Sequence, residues 1–240
     1  MTKIEWTSRT WNPVTGCSKY SEGCRNCYAE KMTTRLTATG NKKYANGFKV
    51  TTHDNALDDP DKWSNPSLIF VCSMSDLFHE EVPFTFIDKV FDTIRVNPWH
   101  IFQILTKRAQ RMEEYFNTRQ VPNNVWLGVT VEDVKSKQRI EHLNNINTTG
   151  VRFLSCEPLL EDLGELNLYN IDWVIVGGES GPKARPMKEE WVLDIKKQVE
   201  AEDAAFFFKQ WGTWGADGVK RNKKANGDLL QGQVWHCFPV

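Results

Sequence analysis

The sequence predicts an α/β protein: a complete or partial parallel (β/α) barrel with a short irregular C-terminal extension, a doubly wound open sheet being the alternative. Three observations carry this expectation. Several short apolar runs lack polar alternation, as parallel strands buried on both faces do. Amphipathic segments with a 3.6-residue period fall between several of them. The chain of 240 residues, 40% hydrophobic and 25% charged, suits one barrel, one doubly wound domain or two small domains.

In chain order, a short strand is expected within SRTWNPV (8–14), and YAEKMTTRLTA after Cys27 forms a helix that stops near Gly40. FKVTTH (48–53) is an early candidate strand. The main strands are SLIFVCSMSD (67–76), IFQILTKR (101–108), NVWLGVTVED (124–133), VRFLSCEP (151–158), DWVIVGGESG (172–181) and AAFFFKQWG (204–212). Helices are expected over 85–97, 107–116, 133–145 and 188–202; the first carries Phe86, Val90, Phe91 and Ile94 on one face. Pro158 and Gly164 make 158–171 an irregular connection. From about 211 the chain becomes rich in Gly, Asn and Lys. Residues 1–210 are therefore expected to form the barrel and 211–240 an extension packed on it.

Lys and Arg number 30 against 31 Asp and Glu, a net charge of −1. That excludes a generally basic nucleic-acid coat, though not a local basic patch. The composition argues against disorder. No apolar run approaches the ~18–20 residues of a membrane span, and the N-terminus MTKIEWTSRTWNP lacks the apolar core of a signal peptide. A soluble, cytoplasmic protein is expected.

The six cysteines stand at 17, 24, 27, 72, 156 and 237. Three crowd into Cys17-SKYSEG-Cys24-RN-Cys27, and in a reducing compartment a C-x6-C-x2-C cluster points first to a metal. Zinc needs four tetrahedral ligands, so a fourth would have to come from afar, for example Cys72, Cys156 or His79. Three thiolates also suit a [4Fe–4S] cluster with one open iron, since soft sulfur suits iron. An open iron can bind S-adenosylmethionine (SAM) and place it beside a one-electron donor. A loop without metal is the third alternative. Cys72 and Cys156 lie within apolar strands and are expected to be buried structural thiols.

Ligands of parallel α/β folds sit at the carboxyl ends of strands. Here the strands leave through Ser73, Ser75 and Asp76; Thr106, Lys107 and Arg108; Thr130, Glu132 and Asp133; Glu157; Glu179 and Ser180; and Lys209 and Gln210. A lined pocket is expected there. Asp76, Glu132, Glu157 and Lys209 are its candidate catalytic groups. Gly177-Gly178-Glu179 is a tight strand-to-loop turn whose amides can approach a ligand, SAM being the candidate, or simply a turn. His79 is equally a ligand, an acid–base group or a cap. Lys183, Arg185 and Lys188 form a small basic loop, either solvated or contacting phosphate. Trp211 and Trp214 beside Lys209 suit base stacking, or the packing of a Trp-rich tail.

The strings TWNPVTGCSKYSEGCRNCYAEKM, SMSDLFHEEVP, ILTKR, LGVTVED, SCEPLL, IVGGESG, ARPM and FFFKQWG together resemble a phage- and bacterium-associated three-cysteine-motif family of unassigned function, regarded as radical-SAM-like. The resemblance runs from about Trp11 to Gly212. A more distant similarity is to spore photoproduct lyase and related radical-SAM enzymes. It implies a barrel of the radical-SAM type with a [4Fe–4S] cluster on Cys17, Cys24 and Cys27. It also implies SAM contacts from Ser73, Ser75, Lys107 and Thr130, Lys107 facing the methionyl carboxylate. The implied partners are a nucleic acid or nucleotide substrate, a reductant protein and a companion called the three-Cys-motif partner. The chain departs from the usual C-x3-C-x2-C by having six residues between its first two cysteines. A zinc-stabilised, non-enzymatic nucleic-acid-binding module is the alternative, and a structural phage protein with a stapled loop is the third.

Overall fold

In the computed structural model residues 4–239 are described; residues 1–3, the start of the segment read for a signal peptide, and residue 240 lie outside them. The strands are β1 (Arg9–Trp11), β2 (Val14–Thr15), β3 (Thr51–Thr52), β4 (Leu68–Val71), β5 (Ile101–Thr106), β6 (Val125–Thr130), β7 (Arg152–Cys156), β8 (Trp173–Gly177), β9 (Ala205–Gln210), β10 (Leu229–Leu230) and β11 (Gln233–Val234). Seven form one sheet in the order β1-β4-β5-β6-β7-β8-β9. The helices are α1 (Tyr28–Ala38), α2 (Phe84–Val96), α3 (Ala109–Phe116), α4 (Gln138–Asn144), α5 (Glu189–Ala201) and the short α6 (Lys223–Asn226). The expected parallel α/β fold is thus the one found. By contacts the chain forms two compact units: residues 1–127 with 146–150, and residues 128–145 with 151–240.

In the first unit β1 pairs in parallel with β4 (Arg9↔Ile69) and β4 with β5 (Leu68↔Ile101). Trp11, Ile69, Val71, Phe102 and Ile104 are buried, which is why these runs carry no alternation. Helix α2 buries Phe86, Ile87, Val90, Phe91 and Ile94. Each such side chain contributes about 1.5–3 kcal/mol, far more than local helix propensity. FKVTTH supplies a strand only at Thr51–Thr52, outside the seven-stranded sheet: it pairs antiparallel with β2 (Val14↔Thr52, Thr15↔Thr51) in a separate two-stranded ladder. With both threonines only half-buried, that segment lacks the apolar face a core strand needs.

In the second unit β7 pairs in parallel with β8 and β8 with β9, with an irregularity at Val176/Gly177. Every residue of β8 is buried. The C-terminal chain lies along β9: Phe208 N donates to Trp235 O (2.7 Å), Cys237 N donates to Phe206 O (3.2 Å), and His236 stacks on Phe207 with ring centroids 4.4 Å apart. That strand's edge is therefore covered by backbone, which protects it from pairing with another chain.

Candidate functional site

The three clustered cysteines lie on the excursion of the first unit between β2 and β3. Gly16 begins it. Its N–H donates to Met74 O (3.1 Å), and its carbonyl accepts from Ser75 Oγ (2.5 Å), so the loop is zipped onto the chain beyond β4. Cys17 N then donates to Phe48 O (3.1 Å), closing the loop from the other side. Cys24 ends a single 3-10 turn, and Cys27 stands at the N-cap position of α1. Tyr28 Oη donates to Ser73 O, while Ser73 Oγ donates to Asn12 Oδ1 (3.2 Å). Ser73 and Ser75 therefore tie the cysteine loop to the ends of β1 and β4.

All three cysteines are free thiols and partly exposed. Burial pushes the Cys17 thiol up to about 12; Asp76 adds to the rise and Arg108 opposes it. Burial likewise raises Cys27, opposed by the amides of Glu30 and Ala29 at the start of α1, although neither closes a hydrogen bond of ordinary geometry. Cys24 contributes to the rise at both, so its sulfur is within electrostatic reach of each. A metal would have to displace these protons, and cationic and amide donors already face two of the sulfurs. In kind, this donor set fits a soft metal centre. Among the described residues no three His, Cys, Asp or Glu side chains converge as a single ion would require. An iron–sulfur cluster distributes its thiolates over separate irons, so convergence on one point is not its criterion.

Beside Cys17 lies a network that sequence patterning does not show. Asp76, 6% exposed, accepts from Phe78 N (3.0 Å) and Thr106 Oγ1 (2.7 Å) on one oxygen. Its other oxygen accepts from Lys107 N (3.1 Å) and Arg108 Nη1 (3.2 Å). The carboxylate thus joins the end of β4 to the end of β5. Arg108, 3% exposed, also gives Nε to Glu80 (2.8 and 3.0 Å), Nη2 to Ser18 Oγ (3.1 Å) and Nη1 to Cys17 Sγ (3.8 Å), and lies over the Tyr20 ring at 4.9 Å. Burial opposes its charge, but Asp76 and Glu80 outweigh that and raise its pKa. His79 Nδ1 accepts from Glu81 N (3.1 Å), so the ring carries its proton on Nε2 and donates to Ser18 Oγ (2.7 Å). Burial and the neighbouring Arg108 hold His79 below its usual pKa, consistent with that neutral form.

The second unit places its acids separately. Glu132 is fully buried and paired with Arg139 Nη1 (2.7 Å), which also donates to Thr130 O (2.7 Å). Glu179 holds Arg185 through Nη2 (2.7 Å), Nε (3.0 Å) and its backbone N (2.8 Å), pinning the basic loop. Glu157 pairs with Lys209 Nζ at 2.8 Å and accepts from Ser155 Oγ (3.3 Å). This pair is partly open, the side chains being 15% and 18% exposed. The two turn glycines have different reasons. A Cβ at Gly177 would stand 2.7 Å from Glu157 Oε1, whereas one at Gly178 would stand 1.9 Å from Trp211 O.

Trp211 is 2% exposed, its indole N–H donates to Leu229 O (2.8 Å) and its ring packs edge-on against Phe208, so the base-stacking expectation does not hold for it. Trp214 is half-buried and, with Met187 and Leu193, lines an open cleft of about 430 Å³. Gly16, Ser18 and Glu80 had no place among the expected site residues. Their signals were slight: a glycine directly before the first cysteine, and the acid of HEE four residues beyond Asp76.

Comparison places this arrangement in a family without an assigned role. The chain belongs, over residues 1–239, to the family described as "protein of unknown function (DUF5131)". No curated protein matches it. Among solved structures it is similar to a spore photoproduct lyase mutant with dinucleoside spore photoproduct (11% identity, TM-score 0.46, covering 78% of this chain and 59% of that one). A second mutant of that lyase, with bound AdoMet and the same photoproduct, gives 10% identity and a TM-score of 0.44, covering 80% and 60%. A third gives 11% and 0.48, covering 88% and 66%. The chain spans about three fifths of the length of the first of these (59%). Among the described residues no helix is long and apolar enough to cross a membrane.

Proposed function

We propose that the protein is a radical-SAM-type enzyme in which Cys17, Cys24 and Cys27 hold a [4Fe–4S] cluster. The observation that carries this reading is the loop itself. Three free thiols are presented together from one excursion beside a parallel sheet, one at the start of a helix and one facing a buried guanidinium. The motif resemblance across the chain supports it. When bound, such a cluster supplies one electron to SAM, whose reductive cleavage to methionine leaves a 5′-deoxyadenosyl radical able to take a hydrogen atom from substrate. Lys107 would bind the methionyl carboxylate, with the Ser73–Ser75 turn beside it. Asp76 holds the Lys107 backbone in place through its amide, and Glu132 is held by Arg139. The partly open Glu157–Lys209 pair is the group best able to move a proton on a bound substrate.

The preferred substrate is a nucleic acid or nucleotide. Residues 17–49 carry seven Lys or Arg against two Glu in a chain of net charge −1, which favours an anionic ligand near the cysteines. Trp214 in its cleft offers a ring for stacking. A reductant protein would supply the electron, a three-Cys-motif partner would accompany the enzyme in a phage or bacterial setting, and the cytoplasm would keep the thiols reduced. The test is anaerobic purification with iron, sulfide and zinc analysis, followed by reduction with SAM. Iron and sulfide with 5′-deoxyadenosine formation, both lost in Cys17→Ala, Cys24→Ala and Cys27→Ala, are expected. Stoichiometric zinc without iron would overturn the reading.

A further inference from the structure

We propose that Arg108 is a positioning residue that fixes the first cysteine ligand and raises the reduction potential of the cluster, an inference that rests on the iron–sulfur reading above. The guanidinium is buried, and its N–H groups are shared among four partners: Glu80, Asp76, Ser18 Oγ and Cys17 Sγ. Two of these are carboxylates from the chain after β4, and two are consecutive residues of the cysteine loop. One planar cation therefore rivets the loop to the sheet, a geometry that an ammonium cannot reproduce.

Ser18 reinforces the rivet. Its oxygen receives Arg108 Nη2 at 3.1 Å and His79 Nε2 at 2.7 Å. His79 is itself held by the Glu81 amide, so Ser18 Oγ is fixed from two directions and the neighbouring Cys17 moves little. A network that served stability alone would need only the pairs with Asp76 and Glu80. Arg108 Nη1, which also donates to Asp76, reaches Cys17 Sγ at 3.8 Å and brings the guanidinium charge beside the ligand atom. Reduction adds negative charge to a cluster, and charge and hydrogen bonds at its sulfurs set its potential. Arg108 therefore favours the reduced form.

The experiment uses the full chain, reconstituted anaerobically, as wild type, Arg108→Gln and Arg108→Lys. Iron and sulfide per chain are measured first. The midpoint potential then follows from a redox titration read by electron paramagnetic resonance. Hydrogen exchange over residues 16–24 is compared in the metal-free proteins. R108Q is expected to shift the reduced-to-oxidised ratio about tenfold toward oxidised, a potential about 59 mV more negative for one electron. R108K is expected to fall between it and wild type, and carries the measurement if R108Q does not fold. Exchange over 16–24 is expected to quicken in both variants. Equal potentials at equal iron content overturn the tuning role, and unchanged exchange overturns the positioning role. A wild type that takes up no iron overturns the iron–sulfur reading and the tuning with it, while the exchange comparison still decides whether Arg108 holds the loop.

Discussion

Replacing Gly16 with alanine tests how the cysteine loop is held, and Gly47 supplies the control. Both glycines have left-handed backbones, with φ of +79° at Gly16 and +61° at Gly47. Any L-residue there bears a strain of about 1–2 kcal/mol. Their surroundings differ. A Cβ at Gly47 meets nothing within 4 Å, but one at Gly16 would stand 2.1 Å from Lys49 O, 2.4 Å from Lys49 C and 2.8 Å from Phe48 O. Those are backbone atoms of the returning arm just before β3, so relief requires the two arms of the excursion to part. Overpacking of this kind adds roughly 1–3 kcal/mol. Taking about 2 kcal/mol for the difference, and roughly 2–4 °C per kcal/mol for a chain of this size, G16A melts about 4–8 °C below G47A. Scanning calorimetry of the metal-free variants measures this. Hydrogen exchange at the Cys17 amide, which donates to Phe48 O, shows whether the parting is local. If G16A and G47A melted within about 1 °C of each other, the close approach would not be what requires glycine at 16.

Adjacent glycines at the end of β8 should respond unequally. G178A places its methyl against the Trp211 backbone and is expected to lower the melting temperature by several degrees, whereas G177A meets only the movable end of Glu157 and should stay near wild type. Equal losses in thermal melts would contradict this. His100 is fully buried, and burial holds its pKa below the usual 6.5; the Pro60 and Trp63 carbonyls oppose that lowering and Arg9 adds to it. The unfolded chain therefore binds the proton more readily, so the stability His100 contributes is complete above pH 6.5 and is lost as pH falls toward the lower folded value. Melting temperatures of wild type between pH 7 and 5 should fall more steeply than those of H100Q, and parallel slopes would exclude His100 as a source.

The strand–helix alternation was legible because its cause is local and repeated. LIFV, IFQILT and WVIVG are buried on both faces, and the helices between them show their stripe in the sequence. Helix α1 has the limits its sequence suggests, since Thr39 and Gly40 end it. FKVTTH yields only the two-residue strand Thr51–Thr52, paired with β2 outside the main sheet, because composition alone does not show which partner a strand will find. At the site, residue types were legible and their obligations were not. Asp76, Glu132 and Glu179 look alike as acids at strand ends, yet each is engaged by a different arginine. Arg108 stood in the sequence as one more polar group after β5. Only its burial and its reach back to Ser18 and Cys17 set it apart, and contacts across some 90 residues leave no periodic trace.

The pairing of β2 with β3 has a bearing on the unusual spacing of the cysteines. Because Val14 faces Thr52 and Thr15 faces Thr51, residues 16–50 form an arch whose two feet stand side by side. The span between the feet is set by that small ladder and not by how much chain lies above it. Doubling the length of such an arch costs only about 0.6 kcal/mol in closure entropy. Residues added between the first two thiols are therefore nearly free, because they lengthen the arch without moving its feet. Chain length between the thiols is then weakly constrained by closure, while the footing, with Gly16 packed against Lys49 and bonded to Ser75, is tightly constrained.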